Sequence, residues 1–377
     1  MKRLLTIGHS YVVAQNRRLA QAMAIEGAGT WEVTVAAPQR LQGDLRAIDL
    51  EPIADEASRL VALPVWLGGH SHLRFYGHGL QRLLREPWDV VHCWEEPYVL
   101  AAVQVARHVP SEAVFVPATF QNIAKRYPGP IASAERRVMH RADAWIAFGE
   151  TVHQTHRGRS DYASKASRVI NPGVDLAAFR PDPAMRRTIR ARLGWSDEDL
   201  VVGFTGRMVE EKGVATLAEA FAQSTRRWNL LFVGGGPMQA LVDTLRLRHP
   251  SRIRIATSVT HDEMPSYLAT MDVLCAPSRT TPRWREQFGR MLIEAMACGV
   301  PVIASTSGEI PYVVGDVGVL VPAGDPETWR QAIEDLLADP GRRADLSARG
   351  LERARARFGW HTAGRAHLNF FEQLSTR

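Results

Sequence analysis

The sequence predicts an α/β chain made of two doubly wound domains that face one another across a cleft. Three observations predict it. Short runs rich in Val, Ile, Leu and Ala alternate with stretches of helical apolar spacing, and strands alternating with helices imply parallel sheets. The alternation runs through twice, with one break near residues 175–188. The chain has 377 residues, enough to bury a core in each of two domains.

The first series opens with LLTIG (4–8) as a buried strand and a helix over 14–27, where Leu19, Ala20, Met23 and Ala24 share a face. WEVTVAAP (31–38), DVVHCW (89–94), AVFVPATF (113–120), AWIAFG (144–149) and VINPGV (169–174) read as strands. Helices are expected near 98–108 and 131–141. Pro181, Asp182 and Pro183 then fall together and mark a domain junction. The second series has strands at 200–206, 229–237, 253–257, 273–278, 301–305 and 318–322. Its helices are expected near 213–223, 238–248, 262–270, 289–298, 326–338 and 340–356. In open sheets of this kind, ligands bind at the carboxyl ends of the strands.

Hydrophobic residues at 45% and charged residues at 23% exclude disordered and fibrous classes. The net charge of +6 suits an anionic ligand or peripheral contact with an anionic membrane face. No basic stripe clusters, so nucleic acid is not an expected partner. Cys93, Cys275 and Cys298 are far apart and lack metal or disulfide spacing. With no leader-like start and no apolar run of spanning length, a cytoplasmic chain is expected, at most peripheral at the inner face of a membrane. A monomer or dimer is expected.

Two segments carry chemistry. In FTGRMVEEKG (204–213) a strand ends at Gly206, Arg207 and Lys212 follow, and a helix starts after Gly213. The Arg fork and the Lys point charge, five residues apart on a strand-to-helix turn, can both reach one diphosphate. The helix N-terminus adds backbone donors. The bland alternative is a solvated turn, and the spacing is not that of a P-loop. In EQFGRMLIEAMACGVPVIAS (286–305), Glu286 precedes a helix that starts after Gly289, and Glu294 lies inside the helix among Leu292, Ile293, Ala295 and Met296. A carboxylate so enclosed needs partners.

The stretch REQFGRMLIEAMACGVPVIASTSGEIPYVVG closely resembles the donor-binding signature of glycosyltransferase family 4, of GT-B fold. DVVH, RADAWIAFGE, VINPGVDLAAFRP, FTGRMVEEKG, LLFVGGGP, SVTHDEMPSYLATMDVLCAPS and GVLVPAGDPE stand in the order expected of that family. The resemblance implies a retaining enzyme that moves a sugar from a nucleotide diphosphate sugar to an acceptor hydroxyl, in glycan or glycoconjugate biosynthesis. It implies a donor domain over 179–356. An acceptor domain would span 1–178, joined by a closing helix at about 357–377. Arg207 and Lys212 match the pair that neutralises the diphosphate, Glu294 the acid at the ribose, and Glu286 the acid at the donor sugar. Phe288, Gly289, Arg290 and Met291 match the loop whose backbone donors meet sugar and phosphate. Gly206 ends the strand before the cationic pair, and Val259, beside Ser258, matches the position where the base is met. No cofactor and no metal are implied. A UDP-sugar is expected ahead of a GDP-sugar as donor, with a glycan, lipid-linked or small-molecule acceptor.

Two departures stand out. The first loop reads GHSYVVAQN, with Gly8, His9 and Ser10 where many relatives carry a glycine pair. Gln121 and Asn122, in TFQNIAKRYP, stand where many carry a histidine. An amide can hold a hydroxyl but cannot act as an acid or base at neutral pH. With Lys125 and the strand-end Glu95, these residues are candidate contacts on the first domain. Trp66, Trp94 and Trp284 are candidates for stacking on sugars. Asp197 and Asp199 form a DxD that reads as a cap or turn; His92 and Cys93 read as core or cleft groups. Two other classes compete: a non-catalytic sugar- or nucleotide-binding relative, and a nicotinamide-dependent oxidoreductase, which would need a GxGxxG that is missing after the first strand.

Overall fold

In the computed structural model, which describes residues 1–42, 47–70 and 72–376, the chain divides into two compact units. Unit 1 is residues 1–173 with 360–377; unit 2 is residues 174–359.

Unit 1 holds seven parallel strands: β1 (Lys2–Ile7), β2 (Trp31–Pro38), β3 (Arg59–Leu63), β4 (Val90–Cys93), β5 (Val114–Thr119), β6 (Ala144–Ala147) and β7 (Ala166–Val169), in the order β7-β6-β5-β4-β1-β2-β3. Unit 2 holds six: β8 (Val201–Thr205), β9 (Asn229–Val233), β10 (Ile253–Ala256), β11 (Val273–Ala276), β12 (Val302–Ser305) and β13 (Val319–Val321), in the order β10-β9-β8-β11-β12-β13. Every pairing within both sheets is parallel. Both orders reverse direction beside their first strand, between β1 and β4 and between β8 and β11.

The central strands are buried on both faces, which explains their continuous apolar runs. In unit 1 one face of the sheet packs Leu80, Leu84, Val105 and Met139. The other packs Leu19 and Met23 of the helix Ala14–Glu26 together with Leu368, Phe370 and Phe371 of the closing helix Trp360–Ser375. The last residue of the expected closing helix, 377, lies outside the described residues. Unit 2 centres on Phe204, Leu217, Phe232, Trp228, Ile303 and Trp329. The three cysteines are buried and free. No helix among the described residues is long and apolar enough to cross a membrane.

The chain differs from expectation in several places. The strand expected at 169–174 runs instead over Ala166–Val169, because Pro172 lacks an N–H and cannot extend the ladder. The Pro181–Pro183 cluster starts a helix, Pro183–Leu193: Asp182 caps it by accepting from the Met185 N–H at 2.8 Å, and Pro183 opens its first turn. β3 went unpredicted, as did the antiparallel pair Val65–Trp66 and Phe75–Tyr76. They are short and partly exposed, so no long apolar run marks them.

Candidate active site

Unit 2 has its reversal point where β8 and β11 lie side by side. The chain leaves their carboxyl ends toward opposite sides, which opens a crevice between the two following loops. Close approach of these loops depends on glycine. Gly213 ends the turn Glu210–Lys212 at φ +72°, and a Cβ there would lie 2.0 Å from the Pro277 carbonyl oxygen. Gly308, at φ +56°, would place a Cβ 2.0 Å from the Glu286 carbonyl oxygen. The turn after β8 is braced by the GGGP loop, with the Met208 N–H donating to the Gly235 carbonyl at 2.9 Å.

Glu286 is buried at the centre of the crevice. Its Oε2 accepts from Lys212 Nζ at 2.6 Å and from Ser278 Oγ at 2.8 Å. Its main chain is held as well, with the Glu309 N–H donating to its carbonyl at 3.1 Å. Lys212 Nζ also lies 5.2 Å from the Trp284 ring centroid, a cation–π contact. An ammonium has three N–H donors, and Glu286 takes one of them. Gly289, in the left-handed region, caps the helix Arg290–Ala297. The first turn of that helix offers N–H groups to an anion.

Glu294 sits one turn further along, 9% exposed. Burial pushes its carboxyl up to about 7, against the opposing pull of Arg290. Burial lowers Arg290, and Glu294 partly restores it.

Gly206, Arg207, Lys212, Glu286, Gly289, Arg290, Met291 and Glu294 all line one cavity of ≈ 490 Å³, within the usual range for small-molecule sites. Two expected residues do not. Val259 follows β10, two strands away from the reversal point. Phe288 is buried, its ring 6.0 Å from Phe358 in an edge-on contact. The lining also includes Met264 and Gln287, which no spacing singled out, and Trp284.

Unit 1 brings Gly8, His9, Ser10 and Glu95 together at its own reversal point. Glu95 accepts from the His9 backbone N–H. His9 Nδ1 lies 2.7 Å from Glu95 Oε1, out of line for a hydrogen bond, and neither ring nitrogen completes one among the described residues. The ring stacks on Tyr76 at 4.7 Å. The Gln121 amide is engaged within its own loop, donating to the Ile123 carbonyl at 2.7 Å and accepting from the Tyr127 hydroxyl at 2.8 Å. Asn122 is buried beside it, and Lys125 is exposed.

The remaining candidates have structural surroundings. His92 and Cys93 are wholly buried. Trp94 packs edge-on against Phe120 at 4.9 Å, while Trp66 is 60% exposed. Asp199 accepts from the Ser196 N–H and hydroxyl at 2.7 and 2.9 Å, and the Asp197 and Asp199 carbonyls accept from the buried Arg190. Among the described residues no group of three or more His, Cys, Asp or Glu side chains is placed to hold a metal.

Comparison with known proteins agrees with this architecture. Residues 12–178 match the family described as Glycosyltransferase Family 4, and residues 199–339 match Glycosyl transferases group 1. The chain is 32% identical over 318 residues to a D-inositol 3-phosphate glycosyltransferase 1 of Catenulispora acidiphila, covering 77% of this chain and 74% of that one. It is 34% identical over 249 residues to a GDP-mannose-dependent alpha-(1-6)-phosphatidylinositol monomannoside mannosyltransferase of Mycolicibacterium smegmatis, covering 62% of this chain. The chain spans just under two thirds of some relatives: 64% of that mannosyltransferase and 63% of a D-inositol 3-phosphate glycosyltransferase of Xylanimonas cellulosilytica. In fold it is similar to HepE of Anabaena in complex with UDP, with a TM-score of 0.76 at 19% identity, covering 99% of this chain and 100% of that one. The chain belongs to glycosyltransferase family 4 and has the GT-B fold.

Proposed function

We propose that this protein is a retaining glycosyltransferase that moves a sugar from a nucleotide diphosphate sugar to the hydroxyl of a phosphorylated polyol or its lipid-linked form. One observation carries the reading: a cation pair, a part-buried Lys–Glu contact and a helix N-terminus converge on one cavity at the reversal point of unit 2. Arg207 and Lys212 would meet the diphosphate, whose charge grows as the glycosidic bond breaks. Glu286 holds Lys212 in place and accepts from the sugar's hydroxyls, and Glu294 accepts from the ribose. Unit 2 binds the donor and unit 1 the acceptor. Turnover needs no metal, and the leaving diphosphate takes the acceptor proton on its own face.

The sequence alone placed a UDP-sugar first. The curated relatives give that order no support: the mannosyltransferase among them is named as GDP-mannose-dependent, so a GDP-sugar is the nearer reading. The acceptor class follows from the inositol phosphate and phosphatidylinositol in the relatives' names.

The test is to incubate the full chain with GDP-mannose or UDP-glucose and an inositol phosphate, following nucleoside diphosphate release and the anomeric configuration of the product by NMR. Release that requires acceptor, with the donor's configuration kept, supports the reading. Binding of donor without transfer to any polyol phosphate would favour a non-catalytic relative, and an inverted product would remove the retaining mechanism.

A further inference from the structure

We infer that His156 is a positioning residue: it holds the loop after β5 in a preformed shape, and that loop is a wall of the acceptor site. The inference rests on the reading of unit 1 as the acceptor unit. β5 ends at Thr119, beside β4 and so close to the reversal point of unit 1, at the sheet edge where ligands of open sheets bind. Thr119, Phe120, Gln121 and Asn122 are each met by a side chain from another element. Glu96, which follows β4, accepts from the Thr119 hydroxyl at 2.9 Å and from the Phe120 N–H at 2.8 Å. From the helix Glu150–His156, His156 Nε2 lies 3.1 Å from the Gln121 carbonyl oxygen. Thr155 Oγ1, which also bonds within its own helix, lies 3.2 Å from the Asn122 carbonyl oxygen. Connections between strand and helix ordinarily run loosely over the surface; here Gln121 and Asn122 are buried and clamped from two sides.

The proton on the imidazole is set from beneath. Arg159 Nη1 lies 3.1 Å from His156 Nδ1. A guanidinium only donates, so Nδ1 accepts, and the ring proton sits on Nε2, where it donates to the Gln121 carbonyl. Arg159 is fixed in turn by a two-point contact with the buried Glu135 of the helix Gly129–Arg141, at 2.8 and 2.6 Å. Glu135 also accepts from the Tyr162 hydroxyl at 2.8 Å, and the Tyr162 ring lies 4.7 Å from that of His156. Burial first, and Arg159 after it, lower His156 to about 4, so the ring is neutral near pH 7 and keeps this one arrangement. A buried polar chain whose members are paired rigidifies what it touches. What this chain touches is the main chain of the loop at the acceptor end of the sheet. A wall ordered beforehand spares the acceptor the cost of ordering it on binding.

The test combines hydrogen–deuterium exchange of the full chain, read over residues 119–128, with transfer kinetics on the inositol phosphate. His156→Leu removes the donor. His156→Asn keeps a polar side chain too short to reach Gln121 and carries the test if His156→Leu fails to fold. His156→Gln can set an amide N–H near the place of Nε2. His156→Leu and His156→Asn should speed exchange in that segment at least about tenfold, with the rest of unit 1 unchanged, because a local tie is lost. They should raise the acceptor KM on the order of tenfold, while calorimetric binding of GDP or UDP, whichever the parent binds, stays as it was. His156→Gln should return both readouts most of the way to the parent. Unaltered exchange, faster exchange spread through all of unit 1, or an acceptor KM unmoved while the loop loosens overturns the inference. If the parent transfers no sugar, the reading of the function fails by itself, and the exchange with its rescue by His156→Gln still supports or overturns the positioning.

Discussion

Replacing Glu294 with Gln should make the protein more stable and less able to bind its donor, and the gain should depend on pH. Burial raises the Glu294 carboxyl from 4.5 to about 7 in the folded chain, with the attraction of Arg290 already included. The fold therefore prefers the neutral acid. Below pH 4.5 the group is protonated in both states and contributes no penalty. Between 4.5 and about 7 the unfolded chain ionises first, and stability falls as pH rises. Above about 7 the full penalty is present. At about 1.4 kcal/mol per pH unit it amounts to about 3 kcal/mol. Glutamine keeps the shape and never ionises. Urea unfolding at about pH 8 should show unit 2 stabilised by about 3 kcal/mol in Glu294→Gln, and the gain should shrink to below about 1 kcal/mol near pH 5. Calorimetry on the same samples should show weaker nucleotide binding. A gain independent of pH, or a loss of stability at pH 8, would refute the account of Glu294 as a carboxylate strained by burial and kept for ligand binding.

Three further outcomes are expected. Arg207→Ala and Lys212→Ala should each lower turnover on the order of 100–1000-fold, whereas Glu294→Ala should act mainly on the donor KM, since the ribose contact proposed for it would persist through bond cleavage; unchanged turnover in Lys212→Ala would remove its proposed charge-stabilising role. Gly308→Ala should destabilise unit 2 by at least about 2 kcal/mol, because the new Cβ would overlap the Glu286 carbonyl at a positive φ; denaturation at the wild-type midpoint would contradict this. Burial lowers His367 from 6.5 to about 4. The fold prefers its neutral form, so no penalty exists above pH 6.5 and it grows as pH falls toward 4. His367→Leu should flatten the acid loss of stability below pH 6, and an unchanged acid limb would show that this ring is not responsible.

Much of the fold was legible because the buried strands state it directly. Val201–Thr205 and Asn229–Val233 are buried on both faces and mostly apolar, and their helices carry the right period. What stayed hidden is set by pairing rather than by pattern. β3 is an edge strand paired only to β2, half-exposed and five residues long. Pro181–Pro183 looks the same to sequence reasoning whether it ends a domain or starts a helix. At the site, Lys212 and Glu286 were each visible, 74 positions apart, but their 2.6 Å contact depends on which strands are neighbours. His9 and Glu95 meet for the same reason. Val259 was placed by family position alone, and sheet order puts it two strands from the reversal point.

The return of the closing helix to unit 1 has a consequence for the order of folding. Leu368, Phe370 and Phe371 share one apolar cluster with Leu19, Met23 and Val33, yet they are synthesised after every residue of unit 2. During translation, unit 2 can therefore complete itself while the first 173 residues still wait with an apolar sheet face open. That interval is when the nascent chain is most exposed to chaperones and to aggregation. Removing residues 360–377 would leave the newly made protein in that waiting state permanently, with a finished unit 2 attached to an unsealed unit 1.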